Sequence, residues 1–399
     1  MHVETSNQTC SGLVIGIDGA NLRQGGGLTH VIELLRVANP YEFGISKIIL
    51  LANGSTLAAV ENRPWLVKIN PKALDRGLLI RTFWQRFTLP KAALMLGCDL
   101  LFVPGSSEGG GFHPVVTMSR NMLPFEFAEL RRFGWSLTTL RLLLLRLSQA
   151  RSFHRADGLI LLTQYAHDAV LRVTGPISGK TIIIPHGLNL RFISPPKVQR
   201  DILGFNDAQP FRLLYVSIID QYKHQWHVVE AVAALRKQGL PIVLDLVGPS
   251  YPPALQRLDE TLDRVDSNRR FVHYHGAVPF HELHHFYAQA DLGLFASSCE
   301  NMPNILLETM GSGLPIACSN RGPMPEVLGT AGVYFDPESV DDIARALRDL
   351  IKSPQLRTEL AQASYERAQQ YSWHRCAKTT FEFLATVAHQ HQGSTCAAS

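Results

Sequence analysis

The chain has 399 residues, 46% of them hydrophobic, with a formal net charge of +4 and a sequence pI near 8.7. That apolar content marks a globular protein with enough side chain for two cores of ordinary domain size, and so mild a charge gives no case for nucleic-acid binding. No run of 18 apolar residues is free of charge, and the first ten residues lack a basic start and an apolar core, so neither a membrane span nor a secretory leader is expected.

From Leu13 onward short apolar runs alternate with amphipathic stretches, the pattern of parallel strands joined by helices. The first set of predicted strands is Leu13–Ile17, Lys47–Leu51, Leu100–Val103, Val115–Met118, Leu159–Leu162 and Thr181–Ile184. The first of these runs into a loop, Asp18 to His30, that carries Gly25, Gly26 and Gly27 before a helix over Val31–Val37. Consecutive glycines let backbone approach a ligand closely, and the helix start adds amide donors. The loop is neither a P-loop nor a dinucleotide fingerprint and reads equally as a flexible turn; its place opposite the Glu300 loop described below favours Gly26 and Gly27 as ligand contacts.

Further along, Leu130–Arg155 is rich in leucine and arginine and has no acid after its start. It reads either as a helix packed on its own domain with arginines outward or as one that lies on an anionic membrane surface. Between Arg191 and Pro210 the text turns to Pro, Gly, Asn, Asp and charge, which predicts an inter-domain connection. A second sheet follows, with strands predicted at Phe211–Val216, Ile242–Val247, Phe271–His275, Leu292–Phe295, Pro315–Cys318 and Val333–Phe335, and helices at Gln225–Lys237 and Val340–Lys352. The fold class is therefore α/β, with two Rossmann-like doubly wound domains facing across a cleft. The first spans 1–190, the linker 191–210 and the second 211–372, with a C-terminal helix at 373–390 expected to pack back on the first. The tail from Gly393 to Ser399 reads as disordered.

Six scattered cysteines (Cys10, Cys98, Cys299, Cys318, Cys376, Cys396) form no CxxC pair, which suits free thiols, no disulfides and a cytoplasmic, reducing setting. Asn7 and Asn53 begin short glycosylation-like triplets that a cytosolic chain would leave unmodified. His273, His275, His281, His284 and His285 crowd one stretch, but on two elements and without a completing cysteine or carboxylate, so no metal site is expected.

The chemistry concentrates after Leu292–Phe295. Pro303 suits the first position of a helix, so the amides of Asn304 and Ile305, with the positive end of the helix dipole, would hold a diphosphate without a metal. Glu300 stays on the loop. Glu308, roughly 7.5 Å further along the axis, is placed to accept from both ribose hydroxyls. Two carboxylates around a phosphate site point to a sugar nucleotide; the spacing alone reads also as a surface helix that happens to carry two glutamates, and the surrounding motifs favour the former. Lys223, just before the helix at 225–237, reads either as a solvated lysine or as an ammonium at the cleft floor that stabilises the leaving nucleotide.

Taken together, Gly25 to Gly27 after the first strand, Pro185-His186-Gly187, Tyr215 to Lys223, Gly276 to Pro279, Ala290-Asp291 through Ser297, Glu300 to Glu308, Gly313 to Ile316 and Pro325-Glu326-Val327 resemble family 4 of the retaining glycosyltransferases, the GT-B group, also called glycosyl transferases group 1. The resemblance covers most of the chain. It implies a nucleotide-sugar donor on the second domain, with Val278 near the base, Glu308 on the ribose, Lys223 and the Asn304 and Ile305 amides on the diphosphate and Glu300 at the sugar. It implies transfer of a hexose from a UDP- or GDP-sugar to a hydroxyl of a saccharide or lipid-linked saccharide entering from the first domain, by a front-face displacement that retains configuration. No cofactor or metal is implied, and the sugar nucleotide is a substrate. The chain departs from the family twice. Ile218 stands where relatives carry a phosphate-binding arginine, so that contact is missing or supplied elsewhere. Arg120 and Asn121 stand where many carry a His-Asp pair, so either the acceptor or sugar contact falls to one of these two residues or the roles of this loop differ. A sugar-nucleotide epimerase, a phosphorylase or a non-catalytic partner of an active transferase are the alternatives on the same plan.

Overall fold

The computed structural model describes residues 12–23, 25–105 and 110–398, with the backbone alone for 394–398. Cys10 and Asn7 lie outside the described residues.

Two all-parallel sheets carry the fold. The first has the order β3-β2-β1-β4-β5-β6-β7, formed by β1 Leu13–Gly19, β2 Ile45–Ala52, β3 Leu66–Ile69, β4 Leu100–Val103, β5 Val115–Met118, β6 Gly158–Leu161 and β7 Lys180–Ile183. The second has the order β10-β9-β8-β11-β12-β13, formed by β8 Phe211–Val216, β9 Ile242–Val247, β10 Val272–Tyr274, β11 Leu292–Phe295, β12 Ile316–Ser319 and β13 Val333–Phe335. The central strands are buried along their length, as apolar runs in a sheet covered on both faces must be. One strand, β3, escapes the sequence pattern: it is a four-residue edge strand, half-exposed and interrupted by Lys68.

Each sheet reverses its strand order once, between β1 and β4 in the first and between β8 and β11 in the second. Loops leaving the carboxyl ends of strands diverge at such a point and open a crevice. The glycine loop follows β1, and the segments that carry Lys223 and Glu300 follow β8 and β11, so both lie at switch points.

Helices cover the two faces of the first sheet unequally. One face receives the helix Gly26–Val37 and, against it, the C-terminal helix Trp373–Ala398, which also touches β4. Contrary to the tail reading, this helix continues past Gly393 to Ala398; a lone glycine costs only about 1 kcal/mol in a helix interior, which 20 preceding helical residues absorb. The connection from the second domain depends on Gly187, whose added Cβ would meet the Trp373 amide nitrogen at 2.1 Å. On the other face, Trp84, Leu89 and Ala93 from the helices Leu78–Phe87 and Leu89–Met95 pack with Leu101, Val103 and Val115, and Phe153 from the helix Leu137–Arg155 packs with Leu159 and Leu161.

The linker is pinned rather than loose. Arg357, fully buried, donates to the Leu350 and Ile351 carbonyls at 2.7 and 2.6 Å, to Gln199 Oε1 at 3.0 Å and to the Arg200 carbonyl. The two domains also meet directly: Glu326 of the second accepts from the Gln164 and Tyr165 amides at 2.7 and 2.9 Å, capping the positive end of the helix Gln164–Thr174 in the first. Thr163 donates to the Asn301 carbonyl at 3.0 Å and Ser298 to Glu129 at 2.7 Å.

Candidate functional site

Strand β8 ends at Val216, and the chain then turns through Tyr222 and Lys223 into the helix Gln225–Lys237. His224, in the left-handed region at φ 55°, makes that turn, and the Tyr215 hydroxyl donates to the Lys223 carbonyl at 2.8 Å. Because β11 is the neighbour of β8, the loop after it returns Glu300 to the same place. Lys223 and Glu300 form an ion pair, with side chains 8% and 16% exposed, and the ammonium lies over the rings of Tyr222 and Phe295 at 4.9 and 5.5 Å. Sequence alone places both residues on cleft loops; that they bond to each other is new.

The helix after Glu300 runs Asn304–Gly311, which corrects one local expectation. Pro303 is the residue before the helix rather than its first residue, with ψ at 74°, and this bend lets the Asn304 N–H donate to the Met302 carbonyl at 2.9 Å. The Asn304 amide is thus engaged, whereas the Ile305 N–H has no partner among the described residues. What Asn304 offers instead is its side chain: Oδ1 meets His186 Nδ1 at 3.1 Å, and Nδ2 turns toward Gly26.

Glu308 is buried at the fifth position of that helix, accepting from the Tyr287 hydroxyl at 3.2 Å. Burial pushes its carboxyl up to about 8, against the smaller opposing effects of Tyr287 and Arg191. Tyr287 in turn meets Phe192 edge-on at 5.5 Å, and Phe192 meets Phe280 at 5.4 Å, with the Arg191 guanidinium over Phe280 at 4.9 Å. Val278 lies two residues before Phe280, half-buried against the core.

Across the cleft, the Arg120 guanidinium fills the space above the glycine loop: a Cβ on Gly27 would lie 2.0 Å from Nη1, and one on Gly26 3.8 Å from Nη2. Asn121 is less available, because its Oδ1 caps the next turn by accepting from the Leu123 N–H at 3.1 Å. Beneath Arg120 lies a cluster that sequence reading passed over. The His30 and His186 rings are 4.7 Å apart, and Trp373 packs against both at 5.7 and 5.6 Å. His186 was legible only as part of a motif, and nothing in the sequence pairs it with His30.

Burial, with Arg120 nearby, holds both imidazoles neutral, His186 down to about 3, and burial does the same to His224, also down to about 3. A histidine that charges in the unfolded chain near pH 6.5 but stays neutral in the fold removes stability as pH falls below that value. Each such group costs about 1.4 kcal/mol per pH unit, and three of them outweigh the opposite trend of Glu308. Urea midpoints are therefore expected to drop steeply between pH 6.5 and 4.5, and His186→Gln to shallow that slope.

Two of the crowded histidines meet a carboxylate, His275 bonding Asp245 at 2.8 Å with His273 at 3.6 Å from the same group, but among the described residues no three His, Cys, Asp or Glu are placed to hold a metal ion. Cys98, Cys299, Cys318 and Cys376 are buried free thiols.

A two-sheet protein with paired charges and a helix start at one switch point and a glycine loop at the other has the architecture of a GT-B protein. Residues 198–367, most of the second domain, match the family described as glycosyl transferases group 1. Over 110 residues it is 33% identical to O-antigen chain mannosyltransferase B of Escherichia coli, covering 28% of this chain and 29% of that protein. Over 236 residues it is 25% identical to the D-inositol 3-phosphate glycosyltransferase of Paenarthrobacter aurescens (strain TC1), covering 57% of each. The matched stretch thus spans less than two thirds of either relative. Among solved structures, sucrose-phosphate synthase from Thermosynechococcus elongatus superimposes with a TM-score of 0.71 at 19% identity, covering 97% of this chain and 100% of that one. Anabaena HepE in complex with UDP-glucose superimposes at 0.67 and 18% identity, covering 96% and 100%.

Proposed function

We propose that the chain is a hexosyltransferase that moves a sugar from a UDP- or GDP-sugar to a hydroxyl of a saccharide or lipid-linked saccharide, with retention of configuration and without a metal. The observation that carries this is the buried Lys223–Glu300 pair at the β8/β11 switch point, beside a helix whose fifth residue is a buried carboxylate. Lys223 has two further N–H donors beyond the one given to Glu300 and turns them to the diphosphate; Glu300 then accepts from a sugar hydroxyl, and the Ile305 amide and helix dipole take part of the phosphate charge. Glu308 receives the ribose. As the bond from the anomeric carbon to the diphosphate breaks, the acceptor oxygen bonds to that carbon from the same face. Its proton passes to the departing phosphate oxygen, so no enzymatic nucleophile is required. The mannosyltransferase relative and the UDP-glucose complex of the HepE neighbour support the donor class.

The test is binding and slow hydrolysis of UDP-, GDP- and ADP-sugars in EDTA, with the anomer released read by NMR. Selective binding with release of the retained anomer is expected; absence of binding to all of them overturns the reading.

A lipid-linked acceptor fits the surface of the first domain. On the sheet face covered by the helices Leu78–Phe87, Leu89–Met95 and Leu137–Arg155, Leu79, Phe83, Met95, Leu137, Leu144 and Leu147 are exposed, and Trp135 is fully so. Neither 78–95 nor 137–155 contains an acid, while Arg81, Arg86, Lys91, Arg141, Arg146, Arg151 and Arg155 are basic. No helix among the described residues is long and apolar enough to cross a membrane. An apolar surface edged with arginine binds the interface of an anionic bilayer. The protein is expected to sediment with phosphatidylglycerol vesicles and release in high salt, and Leu79→Glu with Leu144→Glu to abolish sedimentation; indifference to lipid charge would remove the membrane from the reading.

A further inference from the structure

We infer that Arg120 is a phosphate-binding residue, supplied by the first domain to the diphosphate of a donor seated on the second. The inference rests on the nucleotide-sugar reading and adds a residue to it.

Charge arithmetic at the cleft raises the need. Lys223 is already neutralised by Glu300, so the pair presents no net charge to an incoming dianion. Arg120 is the cation next to the same helix start, and among the described residues no carboxylate pairs with it. Its Nε is buried without a hydrogen-bond partner. Burial lowers its pKa only to about 10, so it remains charged at neutral pH. A charged guanidinium that is largely withdrawn from water, with its Nε buried and no carboxylate partner among the described residues, costs free energy that an arriving anion removes.

The surroundings converge on the same point. With Nδ1 of His186 engaged by Asn304 Oδ1, the Asn304 side-chain nitrogen Nδ2 faces the glycine loop as a further donor, and the Ile305 N–H lies one residue on. Both nitrogens of His30 and Nε2 of His186 are buried and unpartnered as well. An arrangement with several donors, a fixed positive charge and no carboxylate paired with it among the described residues suits a planar-forked contact with phosphate oxygens, which a guanidinium makes bidentately.

Arg120→Met tests this. The probes are UDP and GDP against uridine and guanosine, with pyrophosphate and a hexose 6-phosphate, titrated calorimetrically. The variant is expected to lose roughly 10- to 100-fold in affinity for the preferred nucleoside diphosphate and for pyrophosphate, with the nucleoside unchanged, because hydrogen bonds to charged groups are of that strength. Arg120→Lys should recover part of the loss and not all. Gly27→Ala, which leaves the charge in place but puts a methyl where Nη1 sits, is expected to weaken diphosphate binding in the same direction and covers the case in which Arg120→Met fails to fold. Loss confined to the hexose phosphate would keep Arg120 as a phosphate site but assign it to the acceptor. Unchanged affinities for every probe in folded Arg120→Met would overturn the inference, whereas failure of the wild type to bind any nucleotide would overturn the nucleotide-sugar reading instead.

Discussion

Replacing Lys223 with alanine is expected to reduce transfer by a factor on the order of a hundred to a thousand and, unusually for a loop lysine, to lower stability as well. The first effect follows from the place of the ammonium: charge grows on the diphosphate as its bond to the sugar breaks, and a donor fixed at that point lowers the barrier by about 3–4 kcal/mol. The second follows from its partner. With Lys223 gone, Glu300 is left as a largely buried carboxylate at 16% exposure, and removing one member of a buried pair costs about 3 kcal/mol or more. The two effects separate in Lys223→Ala combined with Glu300→Gln. That double variant should regain most of the lost thermal midpoint while transfer stays low, because the orphaned charge is gone but the donor to phosphate is still missing. Wild-type turnover in folded Lys223→Ala would remove Lys223 from the site.

That pair also marks where sequence reading stops. The strands β4, β5, β8, β9, β11 and β13 lie where their apolar runs place them, and so do the helices Gln225–Lys237 and Val340–Lys352, because an unbroken apolar run and an amphipathic helix each leave a local pattern, even at the half-buried edge strand β13. Edge strand β3 leaves none, since half of it faces water. Lys223, Glu300 and Glu308 were legible as candidates because all three follow strands adjacent in one sheet, and ligands bind beyond such strand ends. Their partners were not. The bonds Lys223–Glu300, His186–Asn304 and Glu326 to the Gln164 and Tyr165 amides join residues 77, 118, 162 and 161 positions apart, and no spacing rule reaches that far. Pro303 lies one position before the helix rather than in it for a smaller reason: its non-helical ψ goes with the Asn304–Met302 hydrogen bond, a tight turn that has no sequence signature.

Glu308 yields the prediction that depends most on its surroundings. Burial holds its carboxyl protonated up to about pH 8, whereas in the unfolded chain it ionises near 4.5. The folded form therefore binds the extra proton, and the group's contribution to stability is fully present below pH 4.5 and is lost as pH rises toward 8. Glu308→Gln should accordingly raise the thermal midpoint at pH 8 and change it little at pH 5. Ligand binding follows the opposite trend. An ionised carboxylate accepts from both ribose hydroxyls, so the nucleotide selects the deprotonated form and expels a proton on binding. Wild-type affinity is expected to rise up to about tenfold between pH 7 and 9 and then level off, with a calorimetric enthalpy that depends on the ionisation heat of the buffer. The glutamine variant, with a single acceptor oxygen and nothing to titrate, should match the wild type near pH 6.5 and fall behind above pH 8. Subtracting its pH profile also removes the ionisation of the diphosphate, which both proteins share. A wild-type profile parallel to that of Glu308→Gln from pH 6 to 9 would mean that Glu308 does not meet the ribose and is buried for packing alone.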